Sequence, residues 1–338
     1  MESPGTSSIL SETEHLTDGL ARPATPFLGL VSARIERAIG GQQHAHSVVL
    51  AAARDLAFAP DAKRARPMLV ETLAAVTGAE RWAAVDFAAA VELIHTASLL
   101  HDDVIDGASD RRGRPTANAL HGNAVAVLAG DFVLTAALKV LRPWGERAVS
   151  RAIEVIGEMT GGVATEVLAR RDPDFDVPTW REMAERKTGA LFGLAAWLVA
   201  WPDDRADRFD KALRHLGVAF QVADDAAEIA ANVRAPYPPS QDLATGNPSF
   251  LVAFALQGEA AAEDISLKTD LAAFWRAGPA TDDAVRKAAV SIVALGGLAA
   301  ARRTIAIEVA AARQAFGKDV DEPAIKVVLR WADTLIAF

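Results

Sequence analysis

The chain has 338 residues, of which 51% are hydrophobic and 6% aromatic, with a formal net charge of -9 and no cysteine. A chain this long can bury a large core without disulfides or structural zinc, and the lack of cysteine excludes disulfide frameworks, iron–sulfur clusters and cysteine nucleophiles. The acidic balance argues against a nucleic-acid partner, because such a partner needs a basic surface that neutralises phosphates. Any anion that binds must therefore be held by a local group of basic side chains.

The first residues favour a polar tail over a targeting signal. Glu2, Glu12 and Glu14 stand where a secretory signal would carry basic residues, so residues 1–25 are predicted to form a flexible tail. The longest apolar runs, 191–201 and 288–301, are shorter than the roughly 20 residues that cross a bilayer. We therefore expect a cytoplasmic protein without a transmembrane segment.

Residues 26–338 are predicted to form one all-α domain, a single large helical bundle. Helix formers such as Ala, Leu, Glu and Arg fill long stretches, and alternating runs of β-branched residues are almost missing. Prolines such as Pro60, Pro178 and Pro323 separate the predicted helices. The proline-rich segment 232–247 is predicted to be a non-helical surface loop.

A first acidic stripe lies on the predicted helix 81–106, which is otherwise apolar nearly all round. At about 100° per residue, five polar side chains fall within an arc of about 100°. They are Glu92, His95, Asp102, Asp103 and Asp106. Clustered carboxylates on an apolar helix repel one another and resist desolvation unless a cation compensates them. The stripe therefore indicates a divalent metal site, although His95 alone would also suit a buried core position.

A second acidic stripe follows on the predicted helix 214–230. Gln221, Asp224, Asp225 and Glu228 again share an arc of about 100°. Oxygen ligands without His or Cys select Mg²⁺ or Mn²⁺, which are usually held by one or two carboxylates together with phosphate oxygens. Either acidic pair alone could be a solvated helix end. Two stripes on two apolar helices instead indicate a diphosphate held between them.

Three basic groups are candidates for binding phosphate, although each taken alone would also suit a solvated surface. Arginine is suited to this role because its planar fork binds phosphate oxygens in pairs. The groups are Lys63 with Arg64 and Arg66, Arg111 with Arg112 and Arg114, and Lys187 followed by Thr188.

Several motifs resemble those of the trans-isoprenyl diphosphate synthases, the polyprenyl synthetase family. DDVID resembles the first aspartate-rich motif of that family, RRGRPT the arginine motif after it, and FQVADDAAE the second aspartate-rich region. KRARP and KTGALF resemble two further family motifs, so that the resemblance covers roughly residues 30–255. It implies a helical fold with a central cavity, the acidic motifs on opposite walls, and a homodimer.

The resemblance also implies a prenyltransferase that condenses isopentenyl diphosphate with an allylic diphosphate by metal-assisted ionisation. About three Mg²⁺ ions, or Mn²⁺ in their place, would be bound by Asp102, Asp103, Asp106, Asp224, Asp225 and Glu228. The implied catalytic residues are Asp102, Asp103, Lys187, Gln221 and Asp224. The implied substrate-binding residues are Lys63, Arg66, His95, Arg111, Arg112, Lys187, Thr188 and Gln221. Ala97 and Ser98 occupy the positions that often close the product cavity, and their small size predicts a product of C20 or longer.

Four departures from the family pattern leave other functions open. Glu228 stands where the family usually has aspartate, and Asn247 stands where a lysine is common. The lysine that usually follows the second acidic motif has no counterpart in NVRAPYPPSQDL, and the upstream GGK of the family reads DAK. One alternative is a terpene cyclase or an unusual prenyltransferase on the same scaffold, and another is a non-catalytic partner subunit of a synthase. The retained KRARP and RRGRP motifs argue against the first, and the intact DDVID motif argues against the second.

Overall fold

The computed structural model describes residues 25–41, 46–60, 62–233, 240–257, 265–277 and 281–338. The predicted tail, residues 1–25, lies outside these ranges except for Thr25. The described residues are almost entirely helical, which confirms the all-α prediction. In chain order the first helices are α1 (Pro26–Gly40), α2 (Ser47–Ala57), α3 (Ala65–Thr77), α4 (Arg81–Ile105), α5 (Ala117–His121), α6 (Asn123–Leu141), α7 (Glu146–Leu168) and α8 (Val177–Ala184). They are followed by α9 (Ala190–Ala200), α10 (Ala206–Val233), α11 (Gln241–Thr245), α12 (Phe250–Gln257), α13 (Ile265–Ala277), α14 (Asp282–Ala294), α15 (Gly297–Phe316) and α16 (Pro323–Thr334).

Two helices, α4 and α9, form the centre of the bundle. The carboxylate of Glu80 starts α4 by accepting hydrogen bonds from the backbone N–H groups of Trp82 and Ala83, both at 3.0 Å. The alanines of α4 allow close packing, and its most extensive contacts are with α6. Every residue of α9 is buried, as expected for a helix that is apolar all round. The second striped helix, α10, packs on α9 and α15.

Short non-α elements interrupt the bundle where basic residues are clustered. Strands β1 (Asp110–Arg111) and β2 (Arg114–Pro115) form an antiparallel hairpin in which Arg111 pairs with Arg114. Arg112 and Gly113 make its turn with φ angles of 54° and 75°, the left-handed region that a tight hairpin turn requires. A π-helical turn, Glu185–Gly189, joins α8 to α9. Such turns are frequent at functional sites, and this one carries Lys187 and Thr188.

The segment 232–247 differs from the predicted surface loop. Residues 234–239 lie outside the described ranges, but Gln241–Thr245 is helical, so the prediction that this segment excludes a helix is wrong. The reason is a local cap, because the Ser240 hydroxyl accepts a hydrogen bond from the backbone N–H of Leu243 at 3.1 Å. Ser240 is 2% and Asn247 8% exposed, so these two residues are buried rather than on the surface.

Two helices are long and apolar enough to cross a membrane when only length and composition are considered. They are Arg81–Ile105, with 78% of its most apolar window buried, and Asn123–Trp144, with 44% buried. The bent pair Asp282–Ala294 and Gly297–Asp321 would add a third if it counted as one span. Charged residues interrupt the apolar stretches of both helices, Asp86 and Glu92 in the first and Asp131 and Lys139 in the second, so apolar runs alone do not reveal them. The expectations of no transmembrane segment and of a cytoplasmic location stay predictions.

Candidate active site

Both acidic stripes line one cavity of about 1100 Å³. Its lining includes every residue of the two stripes together with Lys63, Arg66, Arg111, Arg112, Lys187 and Thr188. The volume exceeds the roughly 300–1,000 Å³ of ordinary small-ligand sites. The helical spacing in the sequence therefore identified residues that the fold brings to a single site.

The three aspartates of the first stripe have different partners. Burial raises the pKa of Asp102 to about 6; Lys187 opposes this shift, while Glu166 and Asp106 add to it. Asp103 is 2% exposed and accepts hydrogen bonds from Nε and Nη2 of Arg111 at 2.9 and 2.7 Å. Burial also raises the pKa of Asp103, with Arg111 opposing. Asp102 is thus directed to the cavity, whereas Asp103 holds Arg111.

The second stripe shows the same division of roles. Asp224 is accessible within the cavity, and the surrounding protein raises its pKa against the opposing charges of Lys63, Arg112 and Lys187. Asp225 is 4% exposed and accepts hydrogen bonds from the backbone N–H of Phe250 at 2.7 Å and from Gln221 Nε2 at 2.9 Å. Burial raises the pKa of Asp225 to about 7, which those two hydrogen bonds oppose.

Glu228 is turned toward the backbone that follows α10. Its Oε1 accepts hydrogen bonds from the Ser240 hydroxyl and from the backbone N–H of Asp242 at 3.2 Å. Asn232 contributes to the same clamp, since its Oδ1 accepts a hydrogen bond from the Ser240 N–H at 2.6 Å. The extra methylene of glutamate is therefore used to fix residues 240–242 beside the cavity.

Lys187 connects the two stripes electrostatically. Burial acts to lower its pKa, but Glu166 and Asp102 outweigh burial and raise it, so the side chain is a permanent cation. Its Nζ donates a hydrogen bond to Glu166 at 2.5 Å, and its charge opposes the pKa shifts of both Asp102 and Asp224. The charge of this one side chain thus favours the ionised form of an aspartate in each stripe.

Glycines on the flanking helices allow the π turn to pack closely against them. A Cβ on Gly162 of α7 would lie 2.6 Å from the backbone N of Lys187, and one on Gly217 of α10 would lie 2.6 Å from Cα of Gly189. On the same turn, the Thr188 hydroxyl donates to Gln221 Oε1 at 2.8 Å. The turn is therefore packed between α7 and α10 at distances that a larger side chain would prevent.

A basic part of the cavity surrounds His95. Burial lowers the pKa of His95 well below its usual value, and Arg66, Arg111, Arg112 and Arg64 lower it further, so the ring is neutral. Burial lowers the pKa of Arg66 to about 10, with Glu92 opposing. The Nε of Arg66 has no hydrogen-bond partner among the described residues. An anion bound in this part of the cavity would balance the clustered charge.

The remainder of the lining is mostly apolar and includes the predicted floor residues. Ala97 is 2% exposed, and the Ser98 hydroxyl donates to the backbone oxygen of His95 at 2.9 Å. Leu134 of α6 and Ile156 of α7 also line the cavity. The two small side chains thus leave space that larger ones would fill.

Three polar residues near the cavity escaped the sequence analysis: Glu166, Asp242 and Arg170. Glu166 and Asp242 line the cavity, and burial raises the pKa of Asp242 well above its usual value, with Glu228 and Asp225 adding to the shift. Arg170 pairs with Asp106. The doublet of Arg170 and Arg171 at the end of a predicted helix was the one local signal.

The carboxylates of the cavity fit a hard divalent cation. Within the described ranges, no residue donates a hydrogen bond to the carboxylate of Asp102 or Asp224, although the protein surrounding each raises its pKa. No group of three or more His, Cys, Asp or Glu side chains in the described part of the chain is arranged to hold one ion. Mg²⁺ does not need such a group, because it is commonly bound by one or two carboxylates with water and phosphate oxygens.

Comparison with known proteins agrees with this geometry. Residues 47–290 match the sequence model of the family described as polyprenyl synthetase. The chain belongs to the polyprenyl synthetase family. Within this family it is 31% identical to nonaprenyl diphosphate synthase of Mycobacterium tuberculosis over 287 residues, 83% of this chain and 84% of the relative.

Two other members of the polyprenyl synthetase family are informative. Octaprenyl diphosphate synthase of Escherichia coli is 40% identical over 171 residues, which are 48% of this chain and 52% of the relative, so the chain spans about half the length of that enzyme. The crystal structure of a decaprenyl diphosphate synthase from Rhodobacter capsulatus superposes with a TM-score of 0.80 at 26% identity, over 96% of this chain and 98% of that one. The fold is therefore shared over nearly the whole chain.

Proposed function

We propose that this chain is a trans-prenyltransferase that condenses isopentenyl diphosphate with an allylic diphosphate to give a polyprenyl diphosphate of C20 or longer. The observation that carries the proposal is the shared cavity, in which the charge of Lys187 opposes the raised pKa of one aspartate in each acidic stripe. The relatives named as octaprenyl and nonaprenyl diphosphate synthases support the same activity.

Asp102, Asp106 and Asp224 are the carboxylates that we assign to the metal ions. Bound Mg²⁺, for which Mn²⁺ could substitute, would supply positive charge that stabilises the departing diphosphate. Asp103, Asp225 and Glu228 would support the site without binding the metal themselves. Their carboxylates accept hydrogen bonds from Arg111, Gln221 and the backbone of residues 240–242.

The allylic diphosphate would bind between the stripes. Lys187 remains charged and is positioned to donate hydrogen bonds to its phosphate oxygens, and Thr188 and Gln221 fix the neighbouring wall. Cations held in place before the C–O bond breaks stabilise the developing negative charge without reorganisation. The mainly apolar lining excludes water, which would otherwise trap the allylic cation as an alcohol.

Isopentenyl diphosphate would bind at the basic part of the cavity. Arg66, with its unpartnered Nε, and Arg112 would bind its diphosphate together with Lys63, while the neutral His95 can donate a hydrogen bond without adding charge. In this arrangement the double bond would face the allylic carbon. After the new C–C bond forms, the proton is lost to the released diphosphate.

The length of the product would follow from the space beyond Ala97 and Ser98. Both are small, and the cavity continues to Leu134 and Ile156. No bulky side chain occupies either predicted floor position, and we therefore expect growth past C15.

We also propose that the protein is a homodimer. α6 is strongly apolar, but only 44% of its most apolar window is buried. Val127 and Leu128 on α6 and Ile153 on α7 are 40%, 56% and 54% exposed. A second copy packed on this face would bury them. Sedimentation should give a dimer that Leu128→Glu dissociates while Ile307→Glu on α15 does not; a monomeric wild type would contradict the proposal.

The activity is tested by incubating the protein with Mg²⁺, labelled isopentenyl diphosphate and allylic diphosphates of C5 to C20. Polyprenyl diphosphates of C20 or longer are expected. Hydrocarbon or alcohol formed from the allylic substrate alone would instead indicate a cyclase or an unusual prenyltransferase. Absence of turnover, with Mg²⁺ and both substrates present, would indicate a non-catalytic partner subunit.

A further inference from the structure

Arg170 connects the end of α4 with the segment that follows α11. It lies just beyond the end of α7, and its Nη2 donates to the carboxylate of Asp106 at the end of α4. Its Nε donates to Oδ1 of Asn247 at 2.8 Å, and its Nη1 donates to the backbone oxygen of Ile105 at 3.4 Å. All three partners line the cavity, so the guanidinium is positioned at its rim.

The adjacent residue fixes this position. The backbone N–H of Arg171 donates to the backbone oxygen of Gly246 at 2.9 Å, and its side chain donates to the backbone oxygens of Ala244 at 2.6 Å and Trp275 at 3.3 Å. A Cβ on Gly246 would lie 2.4 Å from Cγ of Arg171, so the Arg171 side chain packs directly on this glycine. The Asn247 amide oxygen is therefore held against the end of α7, where it can orient the guanidinium of Arg170.

The contact between Arg170 and Asp106 has a consequence for metal binding. Asp106 belongs to the stripe that we assign to the metal, and its carboxylate is engaged by a cation of the protein itself. A divalent ion that takes this carboxylate displaces the guanidinium, which keeps only neutral partners, the Asn247 amide and the Ile105 carbonyl. A displaced arginine at the cavity rim is suited to a phosphate group, which its planar fork binds through paired hydrogen bonds.

We propose that Arg170 is a diphosphate-binding residue that exchanges partners, pairing with Asp106 in the free protein and with the substrate's diphosphate when metal occupies the first acidic stripe. The inference rests on the proposed function and adds a residue that the motifs do not contain. Because the exchange requires both ligands, metal and diphosphate strengthen each other's binding, and the coupling is reciprocal.

The test measures metal binding to the full chain by titration calorimetry, with and without inorganic pyrophosphate. In Arg170→Gln, affinity for Mg²⁺ alone should rise roughly twofold to fivefold, because the competitor of a partly exposed ion pair is gone. The enhancement of Mg²⁺ affinity by pyrophosphate should fall by roughly tenfold, because a charged, bidentate hydrogen-bond contact with phosphate is lost. Arg170→Lys, which keeps the charge and loses the fork, should give intermediate values.

Arg313→Gln is the matched control, because Arg313 forms a surface ion pair with Asp333. It should leave both affinities unchanged. If Arg170 only stabilised the fold, Arg170→Gln would lower the melting temperature without separating the two affinities, and that result would overturn the proposal.

Turnover measured on the same samples distinguishes a failure of this proposal from a failure of the proposed function. If the wild type elongates prenyl chains and Arg170→Gln has the same affinities for Mg²⁺ with and without pyrophosphate, the role of Arg170 is refuted and the proposed function stands. A wild type that couples metal to pyrophosphate through Arg170 without elongation refutes the proposed function alone.

Discussion

Replacing Asp102 with asparagine should stabilise the metal-free protein although it removes a functional carboxylate. Burial raises the pKa of Asp102 from 3.8 to about 6, so the folded protein binds a proton there more tightly than the unfolded chain. Above about pH 6 the folded state therefore carries a charge that the unfolded state solvates better. A shift of about two pKa units corresponds to about 3 kcal/mol, which solvent in the cavity reduces to about 1–2 kcal/mol.

This gain is measured as the thermal midpoint of chelator-treated protein. At pH 8, Asp102→Asn should melt about 1–3 °C above wild type. The difference should shrink as the pH falls toward 4, because the folded wild type then binds a proton at Asp102 and no longer carries the buried charge. Asp270→Asn, an exposed position on α13, is the control and should show no such change.

Adding Mg²⁺ and pyrophosphate should reverse the order of stability. Both ligands should bind the folded wild type and raise its midpoint, whereas Asp102→Asn has lost a carboxylate that we assign to the metal and should respond weakly. An Asp102→Asn variant that is less stable than wild type at pH 8, or whose gain persists unchanged at pH 4.5, would refute the electrostatic reasoning.

Three further substitutions test individual parts of the site. Glu228→Gln keeps an acceptor for the Ser240 hydroxyl and should leave kcat within roughly threefold of wild type, whereas Glu228→Ala should lower it further; equal losses would contradict a positioning role. Ala97→Phe should shorten the products seen by chromatography, and an unchanged length distribution would show that Ala97 does not limit the cavity. Gly217→Ala places a Cβ 2.6 Å from Cα of Gly189 and should cost about 1–3 kcal/mol of stability while raising KM, so an unaltered melting curve would argue against close packing of the π turn.

The sequence was sufficient for the helical fold and for the residues that face the cavity. Both follow from local rules, since a period of 3.6 residues puts Asp102 and Asp106 on one side of a helix wherever that helix packs. The same rules also assigned Asp224 and Gln221 to a common face, and both line the cavity.

The partners of these residues depend on tertiary structure and could not be read from periodicity. Asp103 is bonded to Arg111 eight residues away, and Arg170 reaches Asp106 across 64 residues. The clamp of Glu228 on Ser240 spans 12 residues and depends on how the chain returns after α10. The π turn likewise arises from close backbone packing that composition does not reveal.

The most direct test of the central claim is a crystal structure with Mn²⁺ and pyrophosphate, in which anomalous scattering locates the metal. The two acidic stripes should hold Mn²⁺ within roughly 2.2 Å of carboxylate oxygens of Asp102, Asp106 and Asp224, with pyrophosphate between them. Mn²⁺ bound elsewhere, with the cavity free of pyrophosphate, would contradict the claim that the two stripes together hold a metal-bound diphosphate.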